Sequence, residues 1–298
     1  MRDATIEALR ATGLDPSDIE RIVSQALAED LHDGEDVTSM ATVPSGNRSV
    51  ADYVVRQSGV IAGLPILKAT LEIALGDDVD VRTFVEDGAT VARGDVVATV
   101  TASTIALLTV ERVSLNLLCR LSGIATSTRR WVEALAGTAA RVRDTRKTTP
   151  GLRHIEKYAV RCGGGVNHRQ GLYDAVLIKD NHVVAAGGVV AALEAVLRRY
   201  PGNAMVVQVE VDTLGELDEA LAHGATQIML DNMSVEQMAE AVRRVRTTKS
   251  EVMVEASGGL SIDSAASVAR TGVDFLAVGA LTHSSPILDI ALDFRHAI

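Results

Sequence analysis

The run Asp144-Thr145-Arg146-Lys147-Thr148-Thr149-Pro150-Gly151 places two cations and three hydroxyls on one short stretch that a Pro-Gly pair then turns. Arg146 offers a planar fork of donors suited to a carboxylate or a phosphate, and Lys147 a compact charge that can follow a moving phosphate oxygen. These types suit an anion grip; the alternative is a solvated basic loop. A second group follows at Arg161-Cys162-Gly163-Gly164-Gly165-Val166-Asn167-His168-Arg169, where three glycines permit close backbone approach before an imidazole and a guanidinium. His168 is suited to donate to a ligand carboxylate or carbonyl, or else to be a structural histidine. Lys179-Asp180-Asn181-His182 comes soon after, which favours one pocket over three coincidences.

A third group is acidic. Glu210 and Asp231 each follow an apolar strand-like run. Carboxylates beside an anion pocket repel the ligand unless a hard cation intervenes, and Mg²⁺ takes oxygen ligands while bridging substrate phosphates. Hydrogen bonds to ribose hydroxyls, or a solvated helix start, are the other readings. A fourth group, Ser257-Gly258-Gly259 with Val278-Gly279-Ala280, has the make-up of phosphate cradles, since glycines bare their N–H groups and a helix N-terminus adds positive potential.

Elements must bring these groups together. Strand-like runs recur at Arg141 to Arg143, Ala175 to Ile178, Met205 to Val209, Gln227 to Leu230, Val252 to Val254 and Phe275 to Val278, with helical stretches between most of them. Thr213 with Glu216 and Ser234 with Gln237 form capping-box pairs, while Gly224 and Gly272 sit where helices end. Such alternation implies parallel βα units. Nearly every strand delivers polar groups to one end, as an α/β barrel does, and no Gly-rich turn follows the first strand as a dinucleotide fold requires. Six strands are fewer than eight, so the barrel is either incomplete or closed by strands the pattern does not show.

Upstream, Ser49 to Val100 reads as short strands and turns, ending in VDVRTFVEDGATVARGDVVATV, which has the rhythm of a biotinyl or lipoyl hairpin. No lysine lies between Arg82 and Thr104, so a swinging arm is excluded and the hairpin is scaffold. From Thr104 an apolar helix begins, with Leu107, Leu108, Val110, Leu115, Leu118 and Leu121 at helical spacing.

At 298 residues and 47% hydrophobic the chain is an ordinary globular protein of one large or two modest domains. No apolar run reaches the length of a membrane span and the first ten residues lack a signal-peptide plan, so a cytoplasmic address and no membrane partner are expected. Cys119 and Cys162 have no metal or redox spacing. The net charge of −10 and 3% aromatic content speak against nucleic-acid binding. Yet Arg141 to His182 holds nine Lys or Arg against four Asp or Glu, as an anion pocket in an acidic protein would.

The run DTRKTTPGLRHIEKYAVRCGGGVNHRQGLYDAVLIKDNH, followed in order by VEVD, LDN, EASGGL and VGALTH, resembles the quinolinate phosphoribosyltransferase family. EDLHDGEDVTS and ERVSLNLLCRLSGIAT extend the resemblance over roughly Leu27 to Phe294. It implies an α/β fold: an N-terminal α/β sandwich domain (residues 1–115, completed by 281–298) and an incomplete, TIM-like α/β barrel (116–280). It further implies that quinolinate and phosphoribosyl pyrophosphate give nicotinate mononucleotide, pyrophosphate and CO₂, with Mg²⁺, in a homodimer. Carried onto this sequence, Arg146, His168, Arg169 and Lys179 face the quinolinate carboxylates, joined by Arg112 from the partner subunit. Lys147, Glu210, Asp231, Ser257, Gly258, Gly259, Val278, Gly279 and Ala280 hold the phosphoribosyl donor, with Glu210 and Asp231 serving the metal, and Thr145 is a further substrate-binding residue. Lys147, Lys179, Glu210 and Asp231 are the expected catalytic groups. Arg112 interrupts an apolar helix, awkward in a monomer core and sensible at a shared site; a snorkelling surface arginine is the plain alternative. The rivals are transfer to nicotinate or another heterocyclic acid, and a non-catalytic binder of phosphosugars or dicarboxylates.

Overall fold

In the computed structural model, which describes residues 1–202, 204–249 and 251–295, the strands in chain order are β1 (Arg48–Val55), β2 (Gly59–Val60), β3 (Asp80–Thr83), β4 (Thr90–Val91), β5 (Val96–Ser103), β6 (Arg141–Arg143), β7 (Val176–Ile178), β8 (Val207–Val211), β9 (Gln227–Asp231), β10 (Met253–Ser257), β11 (Phe275–Ala277) and β12 (Ile290–Phe294). The chain divides into two compact units. One comprises Met1–Arg129, Thr148–Gly164 and the segment from Thr282 onward; the other comprises Arg130–Lys147 and Gly165–Leu281.

The first unit is built on an antiparallel sheet in the order β12-β1-β5-β3, with β2 pairing β4 at its side. Alternation explains its inner face: Ala51, Tyr53 and Val55 of β1 and Val97 and Val100 of β5 are fully buried. They pack with Leu64, Leu67 and Leu71 and with Leu107, Val110, Leu115 and Leu118. The expected hairpin is present, β3 pairing β5 from Asp80↔Thr101 to Thr83↔Ala98. The stretch from Ser49 to Val100 is not strands alone, however. Leu64–Leu75 is a helix with Pro65 in its first turn, and it is so evenly apolar that no polar stripe betrays its period.

The helix that opens at Thr104 runs to Ala134. Gly123 lets the tail lie against it: a Cβ there would stand 2.1 Å from the Pro286 carbonyl oxygen and 2.7 Å from Ile287 Cα. Arg120 donates from Nη1 to the Ser285 carbonyl (3.1 Å) and from Nη2 to Glu156 (2.9 Å), whose carboxylate is wholly buried. That tail then enters the sheet as β12, with Ala51 opposite Phe294 and Val55 opposite Ile290.

The second unit is a six-stranded parallel sheet in the order β6-β11-β10-β9-β8-β7, with helices between strands. Among the described residues β6 and β7 do not pair, so strand pairing leaves the barrel incomplete. β8, β9 and β10 each bury at least three of their five residues in succession, as parallel strands covered on both faces do. The capping boxes form: Thr213 Oγ1 accepts from the Glu216 N–H (3.2 Å), and Ser234 Oγ from the Gln237 N–H (3.2 Å). Gly224 and Gly272 take the positive φ of helix ends, +90° and +91°. Three strands reach further than apolar runs suggested. β8 continues through Glu210 to Val211, β9 to Asp231 and β10 to Ser257, so Glu255 lies inside a strand and 1% exposed.

Candidate active site

The loop after β6 is anchored from below. Asp144, wholly buried, accepts from the side-chain amide of Asn167 and from the His168 backbone N–H at 2.9 Å, tying this loop to the one that follows the glycines. Thr145 Oγ1 accepts the Lys147 N–H (3.0 Å) and shapes the turn that presents Arg146 and Lys147. The other two hydroxyls have local tasks: Thr149 donates from Oγ1 to Glu156 (2.7 Å), and Thr148 accepts from Arg153 Nε (3.0 Å).

A cavity of about 550 Å³ opens over these loops, entirely within the second unit. Thr145, Arg146, Lys147, His168, Arg169, Lys179, Asp231, Ser257, Gly258 and Gly259 line it, together with Leu177, Met229, Asn232 and Ala277. Four cations thus face one carboxylate.

The cations differ in their commitments. Lys179 pairs with Glu210 at 2.5 Å, with the lysine side chain 45% exposed and the glutamate 8%. Arg169 donates from Nη1 to the Ala175 carbonyl (3.0 Å), while its Nε is buried without a partner. Arg146 Nε is buried and unpartnered too. Burial, and then the neighbouring Arg146 charge, push the Arg169 guanidinium below its usual value. Asp174 offsets part of the Arg169 charge, but two mutually repelling guanidiniums, each with a buried and unpartnered Nε, call for an anion of their own.

His168 behaves differently from the expectation of a ligand donor. Both ring nitrogens are engaged inside the protein, Nδ1 accepting the Arg169 N–H (2.7 Å) and Nε2 lying 2.8 Å from Gln208 Oε1. Arg143 and Glu255, paired at 2.7 Å, belong to the same buried set. Sequence reasoning missed Gln208 and Arg143 as parts of the site because both sit within strands, where polar residues are read as edge or solvent positions.

At the acidic side, Asp231 ends β9 and accepts from Asn232 Nδ2 at 2.6 Å. Asn232 holds a positive φ of 53°, and its N–H donates to the Ser257 carbonyl (3.1 Å). Gly258 is required here: its φ is +83°, and a Cβ would stand 2.2 Å from Asn232 Oδ1. Asp212 is pushed above its usual value by burial and by the Glu216, Asp231 and Asp180 charges, so this rim is strongly negative. Glu210 does not line the cavity and acts on it through Lys179. Val278 to Ala280 are not among its walls; Val278 is 3% exposed and its N–H donates to the Arg143 carbonyl (2.9 Å). Arg112 belongs to the first unit, 66% exposed, with Glu111 at 4.0 Å.

Residues 36–122 match the N-terminal domain of quinolinate phosphoribosyl transferase, and residues 124–293 its C-terminal domain. The chain belongs to the quinolinate phosphoribosyltransferase family. A nicotinate-nucleotide pyrophosphorylase (carboxylating) of Mycobacterium leprae is 52% identical over 91% of this chain and 95% of its own length. A probable enzyme of the same name from Bacillus subtilis is 40% identical over 92% and 93%. The solved nicotinate-nucleotide pyrophosphorylase of Francisella tularensis superposes with a TM-score of 0.88 at 34% identity, covering 95% of this chain and 98% of that one. As a quinolinate phosphoribosyltransferase the protein is a pentosyltransferase of NAD biosynthesis, with the mixed α/β architecture of its relatives. No single helix among the described residues is long and apolar enough to cross a membrane.

Proposed function

We propose that this cavity binds quinolinate through Arg146 and Arg169 and phosphoribosyl pyrophosphate through Lys147, Asp231 and the Ser257 to Gly259 turn, and joins them. The observation that carries the reading is the pair of buried, unpartnered Nε atoms on two guanidiniums that face one cavity. A ligand with two adjacent carboxylates satisfies both, each charge-assisted contact contributing about 1.5–3 kcal/mol. Lys179, more exposed and already paired with Glu210, adds positive potential without surrendering its whole charge.

The reaction is chiefly positioning and electrostatics. The pyridine nitrogen lone pair forms the bond to ribose C1 while pyrophosphate leaves with the C1–O pair. Asp231 and, behind Lys179, Glu210 favour the positive charge that develops on the ribose. The ring nitrogen is then cationic, so it accepts the electron pair of the adjacent carboxylate as CO₂ departs, and a solvent proton takes its place. Lys147 faces the departing phosphates.

The residues fit a magnesium ion that arrives with the donor. Among the described residues no three His, Cys, Asp or Glu side chains converge on a metal position, so the protein builds no cage of its own. One lining carboxylate, Asp231, with phosphate oxygens and water is the donor set Mg²⁺ favours. Such an ion supplies neutralisation of pyrophosphate charge. Arg112, exposed on its helix, is assigned to the site of a partner subunit in a homodimer working in the cytoplasm.

Pyrophosphate release from phosphoribosyl pyrophosphate and Mg²⁺, measured with quinolinate and with nicotinate in parallel, tests the reading. Release with quinolinate is expected, and equal or better release with nicotinate would overturn the two-carboxylate grip.

A further inference from the structure

The geometry points to His168 as a neutral imidazole, protonated on Nε2, that holds the Arg169 backbone through Nδ1, with Gln208 and Glu255 as the positioning residues that fix this state. The inference rests on Arg169 being a carboxylate-binding group. It makes His168, though a wall of the cavity, the means by which Arg169 is aimed.

The argument begins with the one group whose polarity is fixed. A backbone N–H is always a donor and cannot be turned around. Arg169 N lies 2.7 Å from His168 Nδ1, so Nδ1 must present a lone pair. A neutral ring with a lone pair on Nδ1 carries its proton on Nε2. Nε2 faces Gln208 at 2.8 Å and Glu255 Oε1 at 3.6 Å. The two ends of a glutamine amide have nearly the same shape, but only its oxygen toward the ring matches a protonated Nε2. The placement Oε1 toward Nε2 is therefore required by the Arg169 peptide on the far side of the ring.

The surroundings favour the neutral form. Gln208 in β8 is 2% exposed, Glu255 in β10 is 1% exposed, and the His168 side chain is 9% exposed. Glu255 Oε2 is held by Arg143 at 2.7 Å, so its charge is balanced before it reaches the imidazole. Burial raises the Glu255 carboxyl above its usual value, which weakens it further as a partner for an imidazolium. Asp144 is spent on the Asn167 amide and the His168 N–H, and Arg169 is itself a cation beside the ring. A second ring proton would also set Nδ1–H against the Arg169 N–H at 2.7 Å, donor against donor.

Gln208 Nε2 and Glu255 Oε1 are both buried without a hydrogen-bond partner, one a donor and the other an acceptor. Gln208 also works to lower the Glu255 carboxyl, so the two side chains influence each other as well as the ring that each of them faces from its own strand. The chain of restraint runs from Arg143 on β6 through Glu255 and Gln208 to His168 and ends at the Arg169 peptide.

Asparagine and glutamine discriminate this role from ligand contact, because the Asn side-chain oxygen falls near Nδ1 and the Gln amide near Nε2. His168→Asn is expected to keep the KM for quinolinate within about three-fold, and His168→Gln to raise it about ten-fold or more, as loss of one buried acceptor does. kcat at saturation and the KM for phosphoribosyl pyrophosphate should move little in either. The reverse order, Gln better than Asn, overturns the proposal. Independently of activity, ¹⁵N NMR of the unliganded wild-type protein at neutral pH should show a neutral ring protonated on Nε2. A Nδ1-protonated or doubly protonated ring overturns it. The Arg169 amide resonance should shift in His168→Gln and stay near its wild-type place in His168→Asn; no difference between them overturns it as well. Gln208→Glu sets a second carboxylate on Nε2, and the expected outcome is an imidazolium with a raised quinolinate KM; an imidazolium with unchanged KM counts against the coupling. If the wild-type protein fails to turn over quinolinate, the functional reading falls while the NMR measurements still decide the tautomer and its hold on Arg169.

Discussion

Two guanidiniums whose buried Nε atoms find no partner among the described residues are what a dianion-binding site would leave open, and the proposed grip on quinolinate rests on them. Arg146→Ala is therefore expected to lower kcat/KM for quinolinate by about 10- to 150-fold, the worth of a charge-assisted contact. Its KM for phosphoribosyl pyrophosphate should change far less, and steady-state kinetics with each substrate varied in turn checks both. Gly258→Ala acts on the other substrate. The methyl would collide with Asn232, whose amide steadies Asp231, and a φ of +83° strains any L side chain. The KM for phosphoribosyl pyrophosphate should rise at least about ten-fold with modest loss of melting temperature, since strain of this kind amounts to about 1–3 kcal/mol. At this scale the sequence was informative where chemistry and composition coincide: Arg146, Arg169 and Lys179 do line one cavity. It was silent where a polar residue is buried inside a strand, as with Gln208, because nothing in the local pattern says which face of β8 looks inward at the ring.

Elements place these residues through loops at the ends of parallel strands, and here the apolar runs were legible because parallel strands are buried on both faces. The helix Leu64–Leu75 was not, since its polar stripe is missing. The closing strand of the first unit depends on an ion pair as well as on pairing. Burial works to raise the Asp52 carboxyl, but Arg295 at 2.6 Å overcomes it and holds the group below its usual value. A depressed folded-state pKa contributes stability that is present above the unfolded value of about 3.9 and lost as pH falls through the folded one. Arg295→Ala should thus lose less stability than wild type on going from pH 5 to pH 3. The difference should be small because Arg295 is more than half exposed and its charge is screened by solvent. Urea unfolding at the two pH values reads it.

At the scale of the whole molecule, the assignment of Arg112 to a partner's site makes a quantitative prediction. Arg112→Ala and Arg146→Ala chains should each be nearly inactive alone. Unfolded together in equal amounts and refolded, random pairing leaves one intact site in half of the dimers, restoring about a quarter of wild-type activity. Recovery no greater than the sum of the separate variants places Arg112 outside the shared site. The family resemblance supplied this expectation; composition and spacing showed only an arginine on an apolar helix, and its 66% exposure agrees with either use.

The pairing of β1 with β12 sets Ala51 against Phe294, so a sheet begun early in the chain waits for a strand made more than two hundred residues later. During synthesis β1 keeps one edge unpaired even after β11 has joined β6 and β10 and given the parallel unit its last partner. A message interrupted between the codons of β11 and those of β12 therefore yields a chain with every wall of the substrate cavity and an open, adhesive sheet, a product for quality control and not a weaker enzyme.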